Sequence, residues 1–135
     1  MTRRTIDQVL AAARARLDRL TPAEAEREVE QEGAVLVDIR PEAQRAEEGS
    51  WPGALIIERN VLEWRFDPAC DARLAIADHD LRVIIFCSEG YTSSLAAAAL
   101  RDLGVTRATD VVGGFAAWWA EHGRARVPAV EPAIE

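Results

Sequence analysis

Lysine is absent from this chain: all 16 basic residues are arginine. That bias points to a GC-rich genome, and hence to a bacterium, and carries no mechanistic information. The 23 acidic residues outnumber the arginines and set a formal net charge of −7. A chain of that charge is a poor partner for nucleic acid or for an anionic membrane surface. No apolar run approaches the ~20 residues of a membrane span. Met1-Thr2-Arg3-Arg4 leads into an amphipathic stretch and not an apolar one, which argues against a secretory or twin-arginine signal. Cysteine is scarce. Cys70 and Cys87 lie 17 positions apart, so no CxxC pair exists, and with only two histidines they form no zinc pattern. Neither a metal nor a cofactor is expected, and both cysteines are expected to be reduced thiols in a cytoplasmic protein. Repeats and low-complexity segments are absent too. What remains, 135 residues with 49% apolar content, suffices for one soluble domain with a real core.

Start and stop signals divide the chain. Thr5 and Gln8 form a capping box for a first helix, with Ile6, Val9, Leu10, Ala13 and Leu17 on one face. Thr21-Pro22-Ala23-Glu24 opens a second helix that Gly33 stops. Val35 to Ile39 reads as a buried strand, Pro41 to Glu48 as a short polar helix, and Ala54 to Ile57 as a short strand. Asn60 is a candidate cap for a helix through Trp64, and Asp67 to Asp80 a loop with a helical turn around Ala69 to Ile76. Val83 to Phe86 is an apolar strand. The helix from Ser93 to Leu103 would turn Leu95, Ala99, Leu100 and Leu103 to the core, and Thr109 to Val112 is a last strand. Phe115, Trp118 and Trp119 are core candidates on a final helix, as are Trp51 and Trp64 elsewhere. The acidic runs 24–32 and 42–48 read as solvated faces. Three parts follow: a helix over 1–19, a domain over 20–123 and an irregular tail over 124–135. Alternating short apolar strands and helices predict an α/β fold, an open parallel sheet flanked by helices on both faces.

Ligands of such sheets bind at the carboxyl ends of strands, and two such ends carry polar candidates. Asp38 and Arg40 end one strand. Cys87 ends another, before the loop Ser88-Glu89-Gly90-Tyr91-Thr92-Ser93 and a helix. Unpaired N–H groups and the positive end of a helix favour S⁻ over SH, and the thiolate is the nucleophilic form.

Four segments now resemble the rhodanese (sulfurtransferase) family. Val35-Leu36-Val37-Asp38-Ile39-Arg40 is similar to its strand ending in D-x-R, and Gly49-Ser50-Trp51-Pro52-Gly53-Ala54 to its G-H-I-P-G-A turn. Val83 to Gly90 is similar to its strand into Cys-x-x-Gly, and Gly113 to Trp118 to its G-G-x-x-x-W. They fall in the family's order over about residues 20 to 122. The family loop often reads C-R-S-G-x-R-S; here Ser88 and Thr92 replace both arginines and Glu89 adds a negative charge. Phosphatases built on this fold need C-x5-R, and position 93 is serine.

The resemblance implies an open parallel rhodanese-like sheet and a sulfurtransferase that carries a sulfane sulfur as a Cys87 persulfide. The donor would be thiosulfate, mercaptopyruvate or a persulfide, the acceptor a thiol or cyanide, and a protein sulfur carrier is a further candidate partner. Catalysis would rest on Cys87. Ser88, Glu89, Gly90, Tyr91, Thr92 and Ser93 would bind substrate, largely through backbone N–H groups. Asp38 and Arg40 would orient the loop or form a structural ion pair. Thr92 and Ser93 would bond substrate or cap the helix, and Tyr91 would close the pocket or face solvent. Cys70 is a bystander thiol or a resolving one. The missing arginines and Glu89 predict poor affinity for dianionic thiosulfate. The alternative is a rhodanese-homology module with weak turnover, serving in protein binding or sulfur relay.

Overall fold

The computed structural model describes residues 2–123; the tail over 124–135 lies outside the described residues. Thr5 and Thr21 each accept from the backbone N–H three residues on, and Gln8 and Glu24 each accept from the cap's own N–H. These two capping boxes start α1 (Ile6–Ala15) and α2 (Pro22–Glu32). Gly33 ends α2 in the left-handed region. There follow β1 (Val35–Asp38), α3 (Glu42–Glu48), β2 (Leu55–Ile56), α4 (Leu62–Phe66), β3 (Val83–Phe86), α5 (Thr92–Asp102), β4 (Thr109–Asp110) and α6 (Gly114–Trp118). The strands form one parallel sheet in the order β2-β1-β3-β4. Leu20 extends it beyond β4 by a parallel bridge to Val111.

Side chains alternate across β3, and both faces are covered. Val83, Ile85 and Cys87 join Val37, Ile39, Leu62, Phe66 and Leu100 in one core. Ile84 and Phe86 join Leu36, Trp51, Phe115 and Trp118 in the other. All four β3 residues are fully buried, and each side chain contributes roughly 1.5–3 kcal/mol of apolar burial. The continuous apolar run is the sequence form of a strand buried on both faces. No helix among the described residues is long and apolar enough to cross a membrane.

Several expectations are corrected. Asn60 caps nothing: a 3-10 turn, Arg59–Val61, runs straight into α4. Residues 69–76 hold successive turns and no helix, because Asp67 and Cys70 each draw a nearby N–H into a local turn. Trp64 is 58% exposed and Trp119 is exposed too, whereas Trp51 stacks on Trp118 inside the core. The buried face of α5 is Ser93, Ser94, Ala96, Ala97, Ala98 and Leu100, as expected for Leu100; Leu103 packs partly buried against the core, whereas Leu95 and Ala99 are only half-buried; α5 meets α1 as well as the sheet. Ile6 is exposed on α1, and Leu17 lies past the helix end.

Candidate active site

Cys87 follows β3 directly and is 6% exposed. Its loop turns through Gly90, whose φ of +88° suits glycine. A side chain at Gly90 would meet the Gly113 nitrogen at 2.8 Å, and one at Gly114 would meet the Gly90 and Glu89 nitrogens at 2.9 and 3.0 Å and overlap the Cys87 carbonyl oxygen. The Cys87 carbonyl accepts from Phe115 N–H at 2.8 Å and the Ser88 carbonyl from Ala116 N–H at 3.0 Å. The loop therefore lies flat on the start of α6, and two glycines make that approach possible. Among the described residues, the backbone N–H groups of Ser88 through Ser93 donate to no protein acceptor. Such a run of unpartnered donors ahead of a helix N-terminus is chemically suited to binding an anion.

Tyr91, 61% exposed, is the cap position of α5 and offers no side-chain cap. Neither Thr92 nor Ser93 caps the helix. Thr92 is exposed. Ser93 is fully buried and donates to Asp110 Oδ2 at 2.7 Å, beside Ser94 at 2.8 Å. Glu89 is exposed. It lines a cavity of about 250 Å³ with Glu48, Ser88, Phe115, Ala116 and Trp119.

Asp38 and Arg40 form a buried two-pronged ion pair, at 3.0 Å from Nε and 2.7 Å from Nη2. Arg40 also donates to Glu48 at 3.1 Å and to the Gly49 carbonyl at 2.8 Å, and its guanidinium lies 4.2 Å from the Phe115 ring centre. Burial works against the cation, but bonds to Asp38 and then Glu48 outweigh it and raise the Arg40 pKa above its ordinary value. Glu48 in turn accepts from the Ser88 hydroxyl at 2.9 Å. Asp38 and Arg40 thus reach the loop through Glu48, a residue of a run read as solvated. Glu26 and Glu28 of the other acidic run are also engaged, with Trp118 Nε1 and Arg82.

Sequence reasoning missed Asp110, Glu48, Arg14 and Arg19. Arg14 donates to the Gly90 carbonyl at 2.7 Å and Arg19 to the same oxygen at 3.0 Å, while Arg19 pairs with Asp110 at 2.8 Å. No local motif announces these contacts, whose partners are 71 to 91 positions away. Cys70 is half-buried in a groove with Trp64 and Leu103. His79 contacts the Gly104 carbonyl, and His122 contacts Glu26. No group of three or more metal-ligating side chains occurs among the described residues.

The model of the family described as the rhodanese-like domain matches residues 21–121. A protein named sulfurtransferase from Allochromatium vinosum is 32% identical over 108 residues, which cover 80% of this chain and 89% of the relative. An adenylyltransferase and sulfurtransferase of Zea mays is 33% identical over 84 residues, 62% of this chain; the match spans only 18% of that longer protein. Among solved structures, a Rhodopseudomonas palustris protein described as a possible tyrosine phosphatase aligns with TM-score 0.79 at 29% identity, covering 90% of this chain and 93% of that one. The human single-domain sulfurtransferase shares the fold at TM-score 0.66 and 24% identity, covering 77% of this chain and 96% of its own.

Proposed function

Because the chain belongs to the rhodanese-like domain family, we propose that it is a sulfurtransferase that carries sulfur on Cys87. The observation that carries this reading is the run of backbone N–H groups from Ser88 to Ser93, directly after the thiol in the chain, that donate to no protein acceptor. The Cys87 thiolate attacks the outer sulfur of the donor. With thiosulfate, a Cys87 S–S bond forms, the donor S–S bond breaks, and sulfite leaves with the bonding pair. The terminal persulfide sulfur is then anionic and sits where the N–H groups point. An acceptor thiolate attacks that sulfur, takes it as its own persulfide, and returns the Cys87 thiolate. Both steps conserve charge and need no outside oxidant.

The loop holds no cation of its own, and Glu48 and Glu89 line the cavity beside Ser88. Their field disfavours a dianion such as thiosulfate and favours a less charged donor, a thiol persulfide above all. A phosphatase reading needs a guanidinium at position 93 to hold the phosphoryl oxygens. Ser93 stands there, buried and bonded to Asp110. A second reading, a relay module that hands sulfur to a protein partner, draws on the exposed rings of Tyr91 and Trp119 beside the loop.

Intact-protein mass spectrometry tests the proposal. Incubation with thiosulfate, 3-mercaptopyruvate or a low-molecular-weight persulfide is expected to add about one sulfur, ~32 Da, removed by cyanide or thiol. The persulfide should load faster than thiosulfate, and Cys87→Ser should not load at all. A folded protein with a free Cys87 that no donor loads would refute the transferase reading.

A further inference from the structure

Residues before position 21 lie outside the family match, yet two of them grip the candidate active-site loop. Arg14, in the last turn of α1, donates through Nη2 to the Gly90 carbonyl at 2.7 Å and through Nε to Ser94 Oγ at 3.1 Å. Arg19 donates to the same carbonyl at 3.0 Å. Its Nε and Nη2 also meet the two Asp110 oxygens at 2.8 and 3.2 Å. Asp110 is fully buried and further accepts the hydroxyls of Ser93 and Ser94. One backbone oxygen thus receives two guanidinium groups, and both are tied to the first turn of α5, Arg14 directly and Arg19 through Asp110.

The peptide that follows Gly90 is planar, so its C=O and the Tyr91 N–H point in opposite directions. Drawing the carbonyl toward α1 sends the Tyr91 N–H away from α1. Glycine at position 90 leaves that peptide free to turn over, and charge-assisted bonds of this length select one orientation. They also polarise the peptide, which strengthens the donor on its other end. The charges matter separately. Asp110 balances Arg19, but Arg14 forms no ion pair with a carboxylate among the described residues. Its guanidinium carbon lies 5.6 Å from the Tyr91 ring centre, which leaves a net positive charge against a loop that has none of its own.

We propose that Arg14 and Arg19 are positioning residues of the Cys87 loop, and that the N-terminal helix is therefore a working part of the site. They hold the Gly90–Tyr91 peptide with its N–H presented to the sulfur anion, and Arg14 supplies the positive potential that the loop lacks. The inference takes the loop as the reacting one, as proposed above.

The test reads the loop without requiring sulfur transfer. Cys87 in the full chain is alkylated by neutral iodoacetamide and by anionic iodoacetate, with site-resolved rates from peptide mass spectrometry and Cys70 as internal control. Arg14→Ala is expected to lower the iodoacetate-to-iodoacetamide rate ratio at Cys87 about threefold, to leave the ratio at Cys70 unchanged, and to slow persulfide loading. Arg14→Lys should restore the ratio, since it restores the charge. Arg14→Ala keeps the Arg19–Asp110 pair, so it is the variant to rely on if Arg19→Ala fails to fold. A folded Arg14→Ala protein with an unaltered ratio at Cys87 overturns the proposal. Should Cys87 resist both reagents, amide order parameters at Gly90 and Tyr91 decide: a fall in Arg14→Ala supports the clamp and no change overturns it. A shifted ratio with no loading by any donor would leave the clamp standing and remove the sulfurtransferase reading instead.

Discussion

Gly114 shows how much of the site depends on a missing side chain. Its φ is +59°, and a Cβ there would overlap the Cys87 carbonyl oxygen. Gly114→Ala should therefore destabilise the fold by about 1–3 kcal/mol and lift the loop off α6. Chemical denaturation reads the first effect and the rate of Cys87 alkylation the second; a variant with parental stability and reactivity would show that the close approach is dispensable. Asp110 is the opposite case, a buried charge with every neighbour committed. Asp110→Ala strands Arg19 and frees two serine hydroxyls, and a loss of roughly 3–5 kcal/mol is expected for a buried pair broken on one side. Asp110→Asn should recover part of this through its amide oxygen. Equal stability of the two variants would mean that packing, and not hydrogen bonding, is what Asp110 supplies.

Among elements, α3 is held by polar contacts in which Arg40 takes part, with Arg45 donating back to the Arg40 carbonyl at 2.6 Å. It is a seven-residue polar helix with no buried residue of its own, too short to be stable alone. Arg40 reaches from the end of β1 to Glu48 and to the carbonyl of Gly49, its capping residue. Arg40→Lys keeps the charge but loses the two-pronged bond to Asp38 and the flat contact with Phe115. It should loosen α3 and with it the Glu48 contact to Ser88, seen as faster amide exchange over residues 42–48 while α5 stays protected. Uniform exchange in both helices would contradict this. The elements also mark what a sequence makes legible. Both capping boxes and the β3 run are readable because their causes are local: a hydroxyl three residues from its partner, or an unbroken row of apolar side chains. Trp64 and Trp118 look alike in sequence, yet Trp64 is exposed and Trp118 is buried against Trp51. The difference is set by which distant ring arrives, and no local pattern records that. Cys87 and its loop were legible from a strand that ends in a thiol before a glycine. Arg14, Arg19 and Asp110 were not, since each owes its place to tertiary contacts alone.

Across the whole molecule, the two ends of the sheet do different work. The carboxyl ends hold Cys87 and its loop, while Arg82 stands just before β3 at the other end. It pairs with Glu28 at 2.8 Å and Asp18 at 2.9 Å and donates to the Arg107 carbonyl, and Arg101 shares Asp18 at 3.0 Å. This network ties the segment after α1, α2, the start of β3 and α5 together. Burial alone would raise the Asp18 pKa. The hydrogen bond and charge of Arg82, with Arg101, outweigh it and hold the carboxyl below its ordinary 3.8. A carboxylate depressed in the folded state stabilises the fold fully above its unfolded value, and that contribution disappears as pH falls through the lower folded value. The urea midpoint should thus fall on acidification below about pH 4, with Asp18 as one contributor. Asp18→Asn should have a lower midpoint than the parent at pH 7, and the two curves should converge as pH falls through the depressed folded-state value, where the parent's Asp18 also takes up its proton. A gap between the midpoints that stays constant from pH 7 to pH 2 would mean that Asp18 acts through packing and not through its charge.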